Sequence, residues 1–224
     1  MKQNFTPYEI NSEDSSYLLD KIEHSFDIQF GATELAHISN FGELCDHITN
    51  KIQLDNSTDC TTQQAFYKLR TSISWSLQLD NKTISTNTLL SEILPRHNRR
   101  SKTSKIEKDL GFKLSILRPP HWVTGLLSIF IVASLIGLFF VSLIGFIGLV
   151  FSFTCLKIAN KIGNEFSVKT VGDVAEKMSR ENYLKVRRNS KTYNRNEIGK
   201  ILSDLFCNEL YIEKTKLTRE ARFT

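Results

Sequence analysis

Residues 122–156 read WVTGLLSIFIVASLIGLFFVSLIGFIGLVFSFTCL, without a single charged side chain. No other segment approaches this apolar length. A membrane-spanning helix needs about 20 apolar residues to cross a hydrocarbon layer of about 30 Å. One unbroken helix over this stretch would be roughly 52 Å long, too long for a single span at the usual tilt of about 20°. The sequence therefore predicts a hairpin of two short transmembrane helices, reversing between Gly137 and Gly145. One long tilted or interfacial helix is the competing arrangement, and a buried hairpin in a soluble protein the third.

The flanks orient the hairpin. Lys108, Lys113 and Arg118 precede it, and Lys157, Lys161 and Lys169 follow. Basic residues on both sides favour two cytoplasmic ends, which is the topology a hairpin makes. The expected location is the inner, cytoplasmic membrane, multi-pass. His121 and Trp122 stand where an interfacial anchor belongs. Gly145, Gly148, Ser128, Ser134 and Ser142 are small enough to let two helices pack closely. The stretch holds no ionisable chain for a proton or ion path.

Charge divides the rest. Of a net +5 over 224 residues, the first 60 contribute −8, leaving about +13 for the remainder. An acidic head and a basic juxtamembrane body imply two surfaces with different partners. Within the body, Arg96, Arg99, Arg100, Lys102 and Lys105 form a basic tract expected to lie on anionic lipid. A DNA-binding role would use the same tract, but it has no interleaved aromatics and lies about a dozen residues from the hairpin, so lipid is the nearer polyanion. The four cysteines, Cys45, Cys60, Cys155 and Cys207, make no CxxC pair, and suit a reducing cytosol. The polar, acidic N-terminal segment does not read as a signal peptide.

Helical periodicity fills most of the remaining chain. Leu18, Leu19, Ile22 and Phe26 form one stripe after Ser12, a good N-cap. Phe41, Leu44, Ile48 and Ile52 form a second, opened by Asn40 and Glu43 in capping-box spacing. Phe66, Leu69, Ile73 and Leu77 form a third, with Thr61 and Gln64 as its box. Gly111 is expected to close a helix through the basic tract, and Phe112–Leu117 to be extended. Thr170 with Asp173, and Asn194 with Glu197, mark two more starts. The last helix buries Ile198, Ile201, Leu202, Leu205 and Phe206, and residues 180–195 read in part as loop.

Two of these pieces resemble the acyl carrier protein family. Residues 17–52, YLLDKIEHSFDIQFGATELAHISNFGELCDHITNKI, are similar to that family from its second helix to its end, with Phe26-Asp27-Ile28 and Asn40-Phe41-Gly42-Glu43-Leu44 as the matching motifs. Residues 197–223, EIGKILSDLFCNELYIEKTKLTREARF, are similar to its first helix and following loop. Lys169–Met178 repeats the opening seen at Asn40. The resemblance implies a four-helix bundle with its parts in permuted order, assembled from both ends of the chain. It also implies that Ser12, fourteen residues before Phe26, stands near the family's phosphopantetheine-bearing serine, although Asn11 and Glu13 replace the usual Asp and Leu beside it.

The expected fold is mainly α: a helical cytoplasmic bundle resembling an acyl carrier protein, plus a two-helix transmembrane hairpin. Its segments are 1–54 (carrier-like), 55–120 (basic, juxtamembrane), 121–158 (hairpin) and 159–224 (completing the bundle). HExxH, GxSxG, P-loop and GxGxxG patterns are absent, so neither catalysis nor a metal site is expected. The function expected is non-catalytic: a membrane-anchored scaffold whose Glu23, Asp27 and Glu43 dock a basic-surfaced partner, such as a lipid- or fatty-acid-handling enzyme. Membrane lipid is the other partner, and nucleic acid is not one. An active carrier bearing phosphopantetheine on Ser12, and a structural subunit of a membrane complex, are the alternatives.

Overall fold

The computed structural model describes residues 12–223, with side chains from Ser15 onward. Mainly helical, as expected, it runs α1 (Ser12–Phe26), α2 (Phe41–Lys51), β1 (Asp55–Asn56), α3 (Thr61–Leu77), α4 (Leu90–Ile93), α5 (Arg99–Leu110) and β2 (Leu117–Arg118). There follow α6 (His121–Phe140), α7 (Ser142–Ile162), β3 (Glu165–Phe166), α8 (Val171–Glu181), α9 (Tyr183–Val186), β4 (Thr192–Tyr193) and α10 (Arg195–Glu209). These elements form two compact units, one of Met1–Thr71 with Ala175–Thr224 and one of Ser72–Val174.

The first unit draws one core from both ends of the chain. Leu18, Ile22 and Phe26 of α1 and Phe41, Leu44 and Ile48 of α2 pack with Ile198, Leu202, Leu205 and Phe206 of α10. The Phe41 and Phe206 rings meet edge-on at 5.2 Å. Every α10 residue expected inward is buried. Residues 180–195, loop in part as expected, also contribute Tyr183, Leu184 and Tyr193 to this core. Tyr183 is fully buried, its ring tilted 42° to that of Phe26 with centroids 5.1 Å apart. Its hydroxyl accepts from the Asn194 N–H at 2.8 Å, and Ser25 Oγ accepts from the Tyr183 N–H at 3.1 Å. Beside it Arg187, 3% exposed, donates to Thr61 Oγ1 and to the Asp59 carbonyl. β1 and β4 pair in parallel, Asp55 opposite Thr192.

The second unit packs Ile73, Ile84, Leu90, Leu94, Ile106, Leu110, Leu114, Ile116, Val171 and Val174 out of water. α5 ends where expected, at Gly111 with φ +79°, a left-handed position that glycine occupies without a Cβ penalty. β2 and β3 are antiparallel, with Arg118 opposite Glu165. The long apolar hairpin, α6 and α7, leaves and re-enters the unit between these two short strands.

Both units contain one shared piece of architecture. In the first, a 3₁₀ turn (Lys214–Lys216) leads into an extended segment along the start of α2. There Gly42 N donates to Arg219 O (2.8 Å), Phe41 N to Ala221 O (2.8 Å) and Phe223 N to Ser39 O (2.9 Å). In the second, a 3₁₀ turn (Asn81–Thr83) leads along the start of α8. Gly172 N donates to Thr86 O (2.8 Å), Val171 N to Thr88 O (3.0 Å) and Leu90 N to Lys169 O (2.9 Å). The bonds match one for one. The repeated opening at Lys169 therefore belongs to the second unit, held by carbonyls at 86–88, and does not complete the bundle of the chain ends. That bundle is completed from Ala175 onward.

Local capping explains where helices begin, with two corrections. Asn40 Oδ1 accepts from the Glu43 N–H (2.9 Å), and the Glu43 carboxylate accepts from the Ser39 N–H (2.7 Å). Thr170 and Asp173 exchange the reciprocal pair of bonds at 3.1 and 2.9 Å. The other two boxes do not close. Asn194 caps α10 through the Asn196 N–H (3.0 Å), but the Glu197 carboxylate crosses to the Thr61 N–H at 3.2 Å. The Gln64 side chain is in turn committed to the Arg188 N–H (2.7 Å). Thr61 is the first residue of α3 and not its cap.

Candidate membrane anchor and docking surface

α6 and α7 are each long and apolar enough to cross a membrane, as judged by length and composition. They pack against each other over their lengths and reverse at Val141, inside the window the sequence predicts. Small side chains permit the approach. The buried α7 positions, Gly145, Ser152 and Ala159, recur every seven residues and form one seam. Gly145 lies against the Gly137–Leu138 backbone and Gly148 against Ser134. Hydroxyls within the apolar helices are satisfied locally: Ser128, Ser134, Ser152 and Thr154 each donate to the carbonyl four residues back. The outward faces are apolar and open, including Ile129, Phe139, Phe140, Leu143, Ile144 and Phe151.

At the hairpin base the basic tract takes on a structural role. Arg99 does not face a membrane surface. It is 7% exposed, donates Nε to Leu94 O (3.1 Å) and Nη1 to Asn164 O, and its guanidinium lies 3.9 Å from the Phe166 ring centre. Burial of an arginine is tolerable there because carbonyl acceptors and an aromatic face replace water. Arg100 donates to the Lys161 carbonyl (2.6 Å), at the end of α7 where carbonyls lack helical partners. Arg96 pairs with Glu165 at 2.8 Å. Lys102 is half-buried and reaches Ile93 O at 3.3 Å. Lys105 is exposed, as expected of a surface residue. Three arginines thus grip the segment 161–165 by which the chain returns from the hairpin.

The expected docking acids lie in the first unit. Asp27 is exposed at a left-handed turn (φ +50°) directly after α1. Glu23 accepts from the Phe30 N–H at 2.5 Å, which folds the extended segment back on α1. Glu43 is exposed, but its carboxylate is engaged at the start of α2, and the Ser39 N–H holds its pKa below the ordinary carboxylate value. Two of the three therefore shape the local backbone, leaving Asp27 as the acid that projects freely. Glu34, not singled out by the sequence, is the most engaged carboxylate among the described residues. Gly31 N–H, Lys51 Nζ (2.6 Å) and His47 Nε2 (2.7 Å) hold its pKa down to about 2.

Ser12 opens α1, and its side chain lies outside the described residues. Arg99 and Arg187 were illegible as buried residues, because each reads in sequence as part of a polar, basic run. Among the described residues no group of histidine, cysteine and carboxylate side chains is placed to hold a metal. Comparison with protein-family models, curated proteins and solved structures finds no match for this chain.

Proposed function

We propose that this protein is a non-catalytic, membrane-anchored docking scaffold. Its hairpin spans the inner membrane from the cytoplasmic side, and both ends of the chain remain in the cytoplasm. The bundle formed by the chain ends, acyl-carrier-like in its sequence pattern, presents Asp27 and neighbouring acids to a basic partner, of which an acyl-handling enzyme is the chemical type. The observation that carries this reading is the hairpin. Its outward faces are lined by large apolar side chains from Leu126 to Phe153, the hydroxyls of Ser128, Ser134, Ser152 and Thr154 bond back along their own helices, and it leaves the folded unit between two paired strands. In water such faces would be a severe aggregation hazard; in lipid they are the ordinary exterior.

The residues about Ser12 do not fit phosphopantetheine attachment. Asn11 and Glu13 flank it in place of the family's Asp and Leu, so no acyl-transfer step is assigned to the chain. Two measurements test the scaffold. Membranes carrying the protein are washed with alkaline carbonate; retention in the pellet is expected, and release would defeat the anchor. Intact mass after co-expression with a promiscuous phosphopantetheinyl transferase is expected to be unmodified. A gain of one prosthetic group, lost in Ser12→Ala, would make the protein an active carrier instead.

A further inference from the structure

The hairpin mouth carries more positive charge than its fold uses. Ser72–Val174 holds twelve Lys and Arg against six Asp and Glu, a net of +6. Lys157 and Lys161 lie four residues apart near the end of α7, so their side chains leave the same face, and both are exposed. Arg100 is fixed to the Lys161 carbonyl and is itself exposed. Arg118 completes the group: its backbone lies directly against Gly163, two residues beyond Lys161, and its side chain is exposed.

Among the described residues none of these four cations has a carboxylate partner. Glu165, the acid at this end of the hairpin, is taken by Arg96. Like charges four residues apart on a helix repel, and the terminal carbonyls of α7 offset that only in part. An external anion would complete the arrangement. Trp122, 72% exposed at the start of α6, marks the depth, because indole rings favour the interface between headgroups and hydrocarbon.

We propose that Arg100, Arg118, Lys157 and Lys161 form a binding site for the phosphate of an anionic membrane phospholipid. The proposal rests on the membrane reading above. It differs from general attraction of a basic tract to lipid, because it names the hairpin mouth, to which α5 contributes Arg100 through its bond to the Lys161 carbonyl, and not Lys105 or Lys108 farther along α5.

The test uses the full-length protein in detergent, analysed by native mass spectrometry with phosphatidylglycerol and phosphatidylcholine of equal chain length. Phosphatidylglycerol is expected to stay bound in preference. At the strength typical of a basic residue near an anionic surface, removing three cations should weaken it on the order of a hundredfold in R118Q/K157Q/K161Q. The single K157Q should weaken it about fivefold, and serves if the triple variant loses its helical circular dichroism. Lys82→Gln, an exposed cation away from the mouth, should bind as wild type does. Equal retention of the two lipids, unchanged retention in both mouth variants, or displacement of the lipid by excess inorganic phosphate would each overturn the site. Carbonate release of the protein, scored before lipid is added, would overturn the membrane reading along with it.

Discussion

Gly42 and Gly172 do the same work in the two units. A Cβ on Gly42 would stand 2.8 Å from the Arg219 carbonyl oxygen, and one on Gly172 would stand 2.9 Å from that of Thr86. Both approaches are backbone to backbone, so neither can relax by rotating a side chain. Gly42→Ala and Gly172→Ala should each destabilise the protein by about 1–3 kcal/mol, read from denaturant unfolding in detergent. Gly199→Ala should do the reverse. Its Cβ would meet nothing within 4 Å, and a mid-helix alanine is better by roughly 0.5–1 kcal/mol. Glu34 supplies a pH signature. The Gly31 N–H, then Lys51 and His47, lower its pKa from 4.5 to about 2. A depressed carboxylate stabilises fully above its unfolded value and loses that contribution as pH falls through the folded one. The contribution should therefore fade between pH 4.5 and about 2. Glu34→Gln should flatten that part of the stability profile measured by thermal unfolding.

At the scale of elements, the hairpin is an insertion between paired strands. Arg118 and Glu165 already face each other in an antiparallel ladder. Two residues are enough to join such partners, and Asn-Gly is the turn that matches strand twist. Replacing residues 119–164 by Asn-Gly should give a protein that stays in the soluble fraction with its remaining helices intact by circular dichroism. It removes the Asn164 carbonyl that Arg99 reaches and the Lys161 carbonyl that Arg100 reaches, so Arg99→Met is the natural companion change. The hairpin and its reversal were legible in the sequence because length and apolarity are properties of the segment alone. The caps at Asn40 and Thr170 were legible for the same reason: donor and acceptor lie within four residues. Where an equally good local box met a distant competitor, the local pattern misled. Glu197 left Asn194 for the Thr61 N–H, and Gln64 left Thr61 for Arg188. No window of sequence contains those pairs.

For the whole molecule, the chain ends are the two parts of one bundle. Leu217 and Ala221 are buried in the same core as Leu44 and Ile48. Truncation after Asn194 should strip that core of α10, and limited proteolysis should then cut within 12–51 at sites closed in the full chain. Residues 86–110 and 169–174, which belong to the second unit, should keep their protection. The core shared by the chain ends was readable from the apolar stripes of α1, α2 and α10, but the duplicated opening was not. Thr86–Leu90 shares almost no side-chain pattern with Arg219–Phe223, and the likeness lies in backbone bonds. The shared core also sets a schedule for biosynthesis. Between Lys51 and α10 lie roughly 140 residues, which at about 5–20 residues per second take some 7–30 s to polymerise. Throughout that interval α1 and α2 exist without the helix that covers them, and on the proposed anchoring the hairpin meets the membrane-insertion machinery in the same interval. The front of the nascent chain must therefore be sheltered until then, and chaperone occupancy on residues 12–51 should end only when α10 emerges from the ribosome.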